Sequence, residues 1–242
     1  MKFAFICTEF LLFGCSETES SAEIQGSQNA VVPGNIPSYT PPGQVTIVPQ
    51  DKLPAAMQQV VKTQVMKNIA GETYEQVPED VFIYGLNYQS RILRDGNSEH
   101  NIKVKLAKID NSALSTCQYE GFLPDGPTLN GPWTSVVRVF SCGAQLVMLQ
   151  EWDYVSDGGG ITLVKEAMNT EVGKFPAQIS KKRSPSGKIM TELSWATEKR
   201  YFTLTVWTDV PRANAKKNNE TTINNQEDMT QQSMLNIAKN LV

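Results

Sequence analysis

The sequence predicts an α+β domain over residues 51–242, an antiparallel sheet with a few helices. Three observations carry this. Apolar residues alternate with a period of two through the middle of the chain. Short clusters of Gly, Pro, Asn and Ser separate those runs, as turns between sequential strands require. Segments with a helical apolar period stand near residue 60 and at the C-terminus. Hydrophobic residues make up 40% of the 242, enough for one interior of ordinary size, and the polar ends keep the folded part to a single domain.

The clearest element is the stretch from Trp133 to Tyr154, which reads as a central hairpin with Cys142 at its turn. In its second half Leu146, Met148, Gln150, Trp152 and Tyr154 point one way, and Val147, Leu149, Glu151 and Asp153 the other. Before it, Asp51 is placed to cap a helix with Leu53, Met57, Val61, Val65 and Ile69 on one face and Gly71 at its end. Val81 to Ile92, the turn Asp95-Gly96-Asn97, and Ile102 to Leu106 read as a hairpin with one wet face. Asp110 to Gln118 reads as a short helical turn capped by Asp110 or Asn111, and Glu120 to Pro132 as a loop.

After the hairpin, Gly173–Ser180, Lys188–Trp195 and Arg200–Thr208 are strand-like runs joined by short turns, an antiparallel meander. Lys181-Lys182-Arg183 reads as a solvated turn at a strand end. Asn214 to Gln226 reads as a surface loop, and the last helix as starting at Asp228 with Gln231 completing a capping box. Its apolar face is Met234, Ile237, Ala238 and Leu241.

The first residues form a separate unit. One lysine is followed by a short apolar run ending Leu12-Phe13-Gly14-Cys15, too short for a permanent span of about 20 residues. With Leu12, Gly14 and Cys15 in the lipobox positions, it resembles a bacterial lipoprotein signal. That resemblance implies a signal peptide over 1–14, lipid on Cys15, and attachment to a membrane of the bacterial envelope. Ser16 implies the outer membrane if the cell has two. Glu9 and Phe13 depart from the usual pattern. Residues 15–50 are rich in Ser, Glu, Gln, Gly and Pro and read as a disordered tether with a mean reach of roughly 30 Å. Once Cys7 and Cys15 are set aside, Cys117 and Cys142 remain as an even pair. They form either a disulfide, stabilising by roughly 3 kcal/mol, or two buried thiols.

A second resemblance lies in Gly173-Lys-Phe-Pro-Ala, Leu193-Ser-Trp195, Tyr201-Phe-Thr-Leu and Met234-Leu-Asn-Ile-Ala238-Lys-Asn-Leu241. This C-terminal third resembles extracytoplasmic domains of MucB-type sigma-factor regulators and lipoprotein-carrier-like envelope proteins. It implies a curved antiparallel sheet with helices packed on one face.

The chemistry of the sequence is sparse. A net charge of −3 opposes nucleic-acid binding. The lone His100 and the two remaining cysteines fall short of a zinc set, no cofactor motif is present, and Ser156-Asp157-Gly-Gly-Gly160 lacks the helix and Lys of a phosphate loop. Glu151 and Asp153, on one strand face about 7 Å apart, have a spacing compatible with a glycosidase pair, and adjacent acids on a wet face are the plainer reading. Tyr201 and Trp207 share a strand face and are the candidate binding surface. The expected function is a noncatalytic lipoprotein that binds an envelope protein or other envelope component, in assembly or stress sensing. The alternatives are a carrier or sensor of an amphiphile such as a lipid, and a carboxylate-pair hydrolase.

Overall fold

The computed structural model describes residues 40–55, 58–59, 61–62, 74–94, 100–125, 131–208 and 223–242. The signal segment, Cys15, most of the tether, the Asp95-Gly96-Asn97 turn and residues 209–222 lie outside these, as does most of the first predicted helix. Residues 55, 58, 59, 61 and 62 of that helix are helical.

The described chain is mostly β-sheet, with few helices, and the sheet is not closed. The strands are β1 (Val45–Val48), β2 (Glu75–Gln76), β3 (Gln118–Asp125), β4 (Ser135–Cys142), β5 (Gln145–Trp152), β6 (Ile161–Val164), β7 (Thr170–Val172), β8 (Phe175–Arg183), β9 (Ile189–Ala196) and β10 (Tyr201–Thr208). The helices are α1 (Glu79–Leu86) and α2 (Ile223–Lys239). The main sheet runs β2-β8-β9-β10-β5-β4-β3, with β7 also on β8, and β1 pairs in parallel with β6 as a separate ribbon.

The predicted hairpin is β4–β5, antiparallel from Ser135↔Trp152 to Cys142↔Gln145, and it turns at Gly143 with φ +61°. The predicted meander is β8-β9-β10, and β10 closes against β5, so the two strongest patterns in the sequence become neighbours at the centre of the sheet.

That arrangement gives two faces. On the first, Phe202, Leu204 and Val206 join Phe140, Leu149, Leu193 and Trp195, and α2 lays Met234, Ile237 and Ala238 on the same core. Residues 102–111 extend across the β3–β4–β5 end of this face, with Val104 beside Phe122, Trp133 and Val136. On the second face, Phe82 of α1 and nearby Tyr88 pack on Val139, Leu146, Met148, Met190 and Trp207. The β1–β6 ribbon packs its Ile161 and Leu163 with Tyr154, Ala196 and Tyr201 at the opposite end. At Gly160 a Cβ would stand 2.6 Å from the carbonyl oxygens of Thr40 and Pro41, so only glycine lets the incoming chain lie against β6.

Several expectations are corrected. Val81 to Leu86 is helix, not strand: Pro78 precedes it and Glu79 and Asp80 occupy its first turn, an N-terminal signal that outweighs the β-propensity of Val-Phe-Ile. Ile102 to Leu106 makes a single bridge to Trp133 and no ladder. The helical turn at Ala113–Thr116 is present, capped by the Ser112 hydroxyl, which accepts from the Leu114 N–H, in place of Asp110 or Asn111. Glu120 to Asp125, expected as loop, belong to a strand that begins at Gln118 and is bulged between Tyr119 and Gly121. Lys181 to Arg183 belong to β8. Helix α2 begins at Ile223, so Asp228 lies inside it and residues 223–226 are not loop.

Candidate functional site

On the first face the chemistry is concentrated around Glu151, which is fully buried. The Ala107 N–H donates to its Oε1 at 2.6 Å, Arg138 Nε donates to Oε2 at 2.7 Å, and Arg138 Nη2 lies 2.7 Å from Oε2. Arg200 Nη1 stands 3.7 Å from Oε1 and donates to the Lys105 carbonyl at 2.6 Å. Arg138 donates in turn to the Ala107 carbonyl at 2.9 Å. Burial pushes the Glu151 carboxyl up, while Arg138, the Ala107 N–H and Arg200 pull it back. The group binds the 102–109 segment to the sheet through three backbone bonds. Glu151 is therefore not on a wet face. Asp153 lies beyond the end of β5 and accepts from the Ser156 N–H and hydroxyl at 2.9 and 2.8 Å. The two acids serve different local structures.

The second face carries the other concentration of polar groups. Between the apolar patch under α1 and the one under the β1–β6 ribbon runs a band set by strand register: Gln150 on β5, Thr203 and Thr205 on β10, Glu192 and Ser194 on β9, Gln178, Ser180 and Lys182 on β8. Lys182 Nζ donates to both Glu192 oxygens, at 3.1 and 3.2 Å, so the band offers no net charge there. Gln150 donates to Asp125 Oδ2 at 2.7 Å, which the Ser135 hydroxyl also reaches. Thr203 is 3% exposed and its hydroxyl has no hydrogen-bond partner. Where the band meets the ribbon, Gln178, Ser194 and Tyr201 form one wall of a small recess and Leu163, Val164, Ala167 and Met168 the other, with a volume of about 10 Å3, room for about one water.

Tyr201 and Trp207 do share a face, but it is covered: they are 2% and 6% exposed, Tyr201 beneath the ribbon and Trp207 beneath α1. They are corrected here from an exposed binding surface to core. Cys117 and Cys142 are joined by a disulfide across the paired ends of β3 and β4, with Cα atoms 4.7 Å apart. His100 is exposed. Among the described residues no three His, Cys, Asp or Glu side chains converge as a metal site, and no helix is long and apolar enough to cross a membrane.

Sequence reasoning missed Arg138, Arg200 and Thr203. Arg138 had a signal, a lone cation inside the apolar run Val-Val-Arg-Val-Phe, which a buried strand tolerates only with a partner. Thr203 had none, because a threonine suits any strand position. Compared with family models, with curated proteins and with solved structures, the chain finds no match.

Proposed function

We propose that the protein is a noncatalytic lipoprotein of the bacterial envelope, anchored through lipid on Cys15, whose domain binds an envelope protein or other envelope component. The Cys117–Cys142 disulfide carries the reading, because such a bond persists in an oxidising compartment, where the N-terminal pattern would deliver the chain. The tether then lets the globule stand off the membrane, and a curved sheet is part of the same reading. The noncatalytic character is supported by Glu151, whose oxygens are engaged by Arg138 and the Ala107 N–H and are not available to a substrate. A carrier for an amphiphile would need about 300–1,000 Å3, more than the recess offers.

Intact mass of the chain purified without reductant tests the reading. The expected mass is that of a chain starting at acylated Cys15 and two hydrogens lighter until reduced. A chain starting at Met1 with free thiols would overturn it. Photocrosslinking from exposed positions in cells tests the binding half, with a specific envelope adduct expected.

A further inference from the structure

We propose that the outer edge of β1 is a self-association surface, where a second copy of this chain adds its own β1 as an antiparallel strand about a two-fold axis through Thr46. This goes beyond the binding reading above, since the partner is the protein itself and the contact needs no anchor.

The main sheet has both of its edges closed. On β8 the cover is β7, the Asn169 side chain and β2. On β3, Phe122 exchanges both backbone bonds with Leu93, Arg94 Nε donates to the Glu120 carbonyl, and Pro124 has no N–H to offer. The ribbon differs. Its β6 is buried along its whole length, but β1 pairs with β6 alone. The Ile161 N–H donates to the Gln44 carbonyl, and the parallel register carries that pattern on through Thr46 and Val48. The N–H and C=O groups of Val45 and Ile47 therefore point away from β6, and among the described residues nothing bonds to them. The Ile47 side chain is 47% exposed. An uncovered edge is a template for another strand unless charge, a bulge or a cover guards it. No charged residue lies between Thr40 and Gln50.

The edge also selects its occupant. The Gly43 N–H is already given to Gly159 and Pro49 has none, so Val45 and Ile47 are the only outward donors of β1. Hydrogen-bonded residues of an antiparallel pair exchange both bonds with the residue directly opposite. Two copies of β1 satisfy all four outward residues in a single register, with Val45 opposite Ile47 of the second copy and the reverse. Centring the pair on Val45 would set Ile47 against the committed Gly43, and centring it on Ile47 would set Val45 against Pro49. The allowed register places the two Thr46 residues opposite one another on the axis and each exposed Ile47 beside a valine, with no like charges brought together. Four backbone bonds make far less contact than the roughly 1,200–2,000 Å2 of a stable interface, so the pairing is reversible and shows at high protein concentration.

Cysteine crosslinking of the full chain, in the cells that make it and after purification, tests this. Facing residues of a non-hydrogen-bonded pair have Cα atoms about 4.5 Å apart, within reach of a disulfide. Under mild oxidation Thr46→Cys is expected to give an adduct of twice the chain mass. The natural chain should not, nor should Ser233→Cys, which places a thiol on the exposed side of α2. Adding Ile47→Pro deletes two of the four interchain bonds and none of the β1–β6 ladder, and should cut the adduct about tenfold. Ile47→Lys, which leaves the backbone of β1 intact, should cut it as well by charging the edge. No adduct above that of the natural chain, or an equal one from Ser233→Cys, overturns the inference. So does an adduct that survives both Ile47 changes, or one of another mass, which would give the edge to a different protein. If the natural chain proves unacylated while the Thr46→Cys dimer forms, the envelope reading falls and this inference stands.

Discussion

Glu151 and Arg138 sit diagonally on adjacent strands of the sheet core, one fully buried and the other nearly so, and they bond to each other and to the backbone of Ala107, with Arg200 also 3.7 Å from the Glu151 carboxylate. Breaking such a pair from one side leaves an uncompensated charge, at about 3–5 kcal/mol. Glu151→Gln and Arg138→Met should each lower the urea unfolding free energy by about that amount, with the 102–109 amides losing hydrogen-exchange protection first. An unaltered stability would mean the pair is not buried. Glu79 differs because it works at the surface. Its carboxylate accepts from Lys188 Nζ at 2.7 Å and from the Ser186 hydroxyl and N–H at 2.8 and 3.2 Å, which together hold its pKa down at about 2. A carboxylate with a depressed folded pKa stabilises above its unfolded value near 4.5 and loses that contribution as pH falls toward 2. Urea midpoints at pH 6 and pH 3 should therefore differ more for the natural chain than for Glu79→Gln, by a margin that solvent screening keeps small.

At the scale of elements, β8 shows how an edge is closed. At one end β7 pairs with Phe175 to Ala177, and the Asn169 N–H donates to the Ala177 carbonyl. In the middle the Asn169 amide accepts from the Ile179 N–H and donates to its carbonyl, both at 2.8 Å, as a strand backbone would. At the other end β2 pairs in parallel with Lys182 and Arg183. An open edge invites another chain to pair. Asn169→Ala should cost about 1 kcal/mol, and hydrogen exchange should show the Ile179 amide opening while the β9–β10 ladder stays protected. The disulfide acts on a different element pair. It closes a separation of 25 residues at the paired ends of β3 and β4, and replacing both cysteines with serine should lower stability by roughly 3 kcal/mol in the chain-entropy model. Helix α1 illustrates a local contest: a Val-Phe-Ile run of high β-propensity becomes helical because its first turn is acidic and its Phe82 has a core to enter on the second face.

Across the whole molecule, four tryptophans mark four hydrophobic clusters: Trp195 under α2, Trp207 under α1, Trp152 at the ribbon and Trp133 beneath the 102–109 segment. All four clusters draw on the main sheet, so it cannot lose one cover without exposing residues shared with its neighbours. Urea curves followed by tryptophan fluorescence and by far-UV circular dichroism should coincide, the mark of a single cooperative unit, and separated curves would divide the domain. The sequence by itself determined the strands β4, β5, β8, β9 and β10, their alternating faces and the apolar side of α2, because period and turn chemistry are local and survive without tertiary context. It also narrowed the disulfide to Cys117 and Cys142, by counting. Only the tertiary structure decided that β10 lies against β5, that both faces of the sheet are covered, and hence that Tyr201 and Trp207 are core and Glu151 is buried. The polar band followed from the same decision. Gln150, Thr203, Ser194 and Gln178 are far apart in the chain and each is unremarkable alone; they become one surface only when register places them side by side, and register is a property of pairing that no single strand carries.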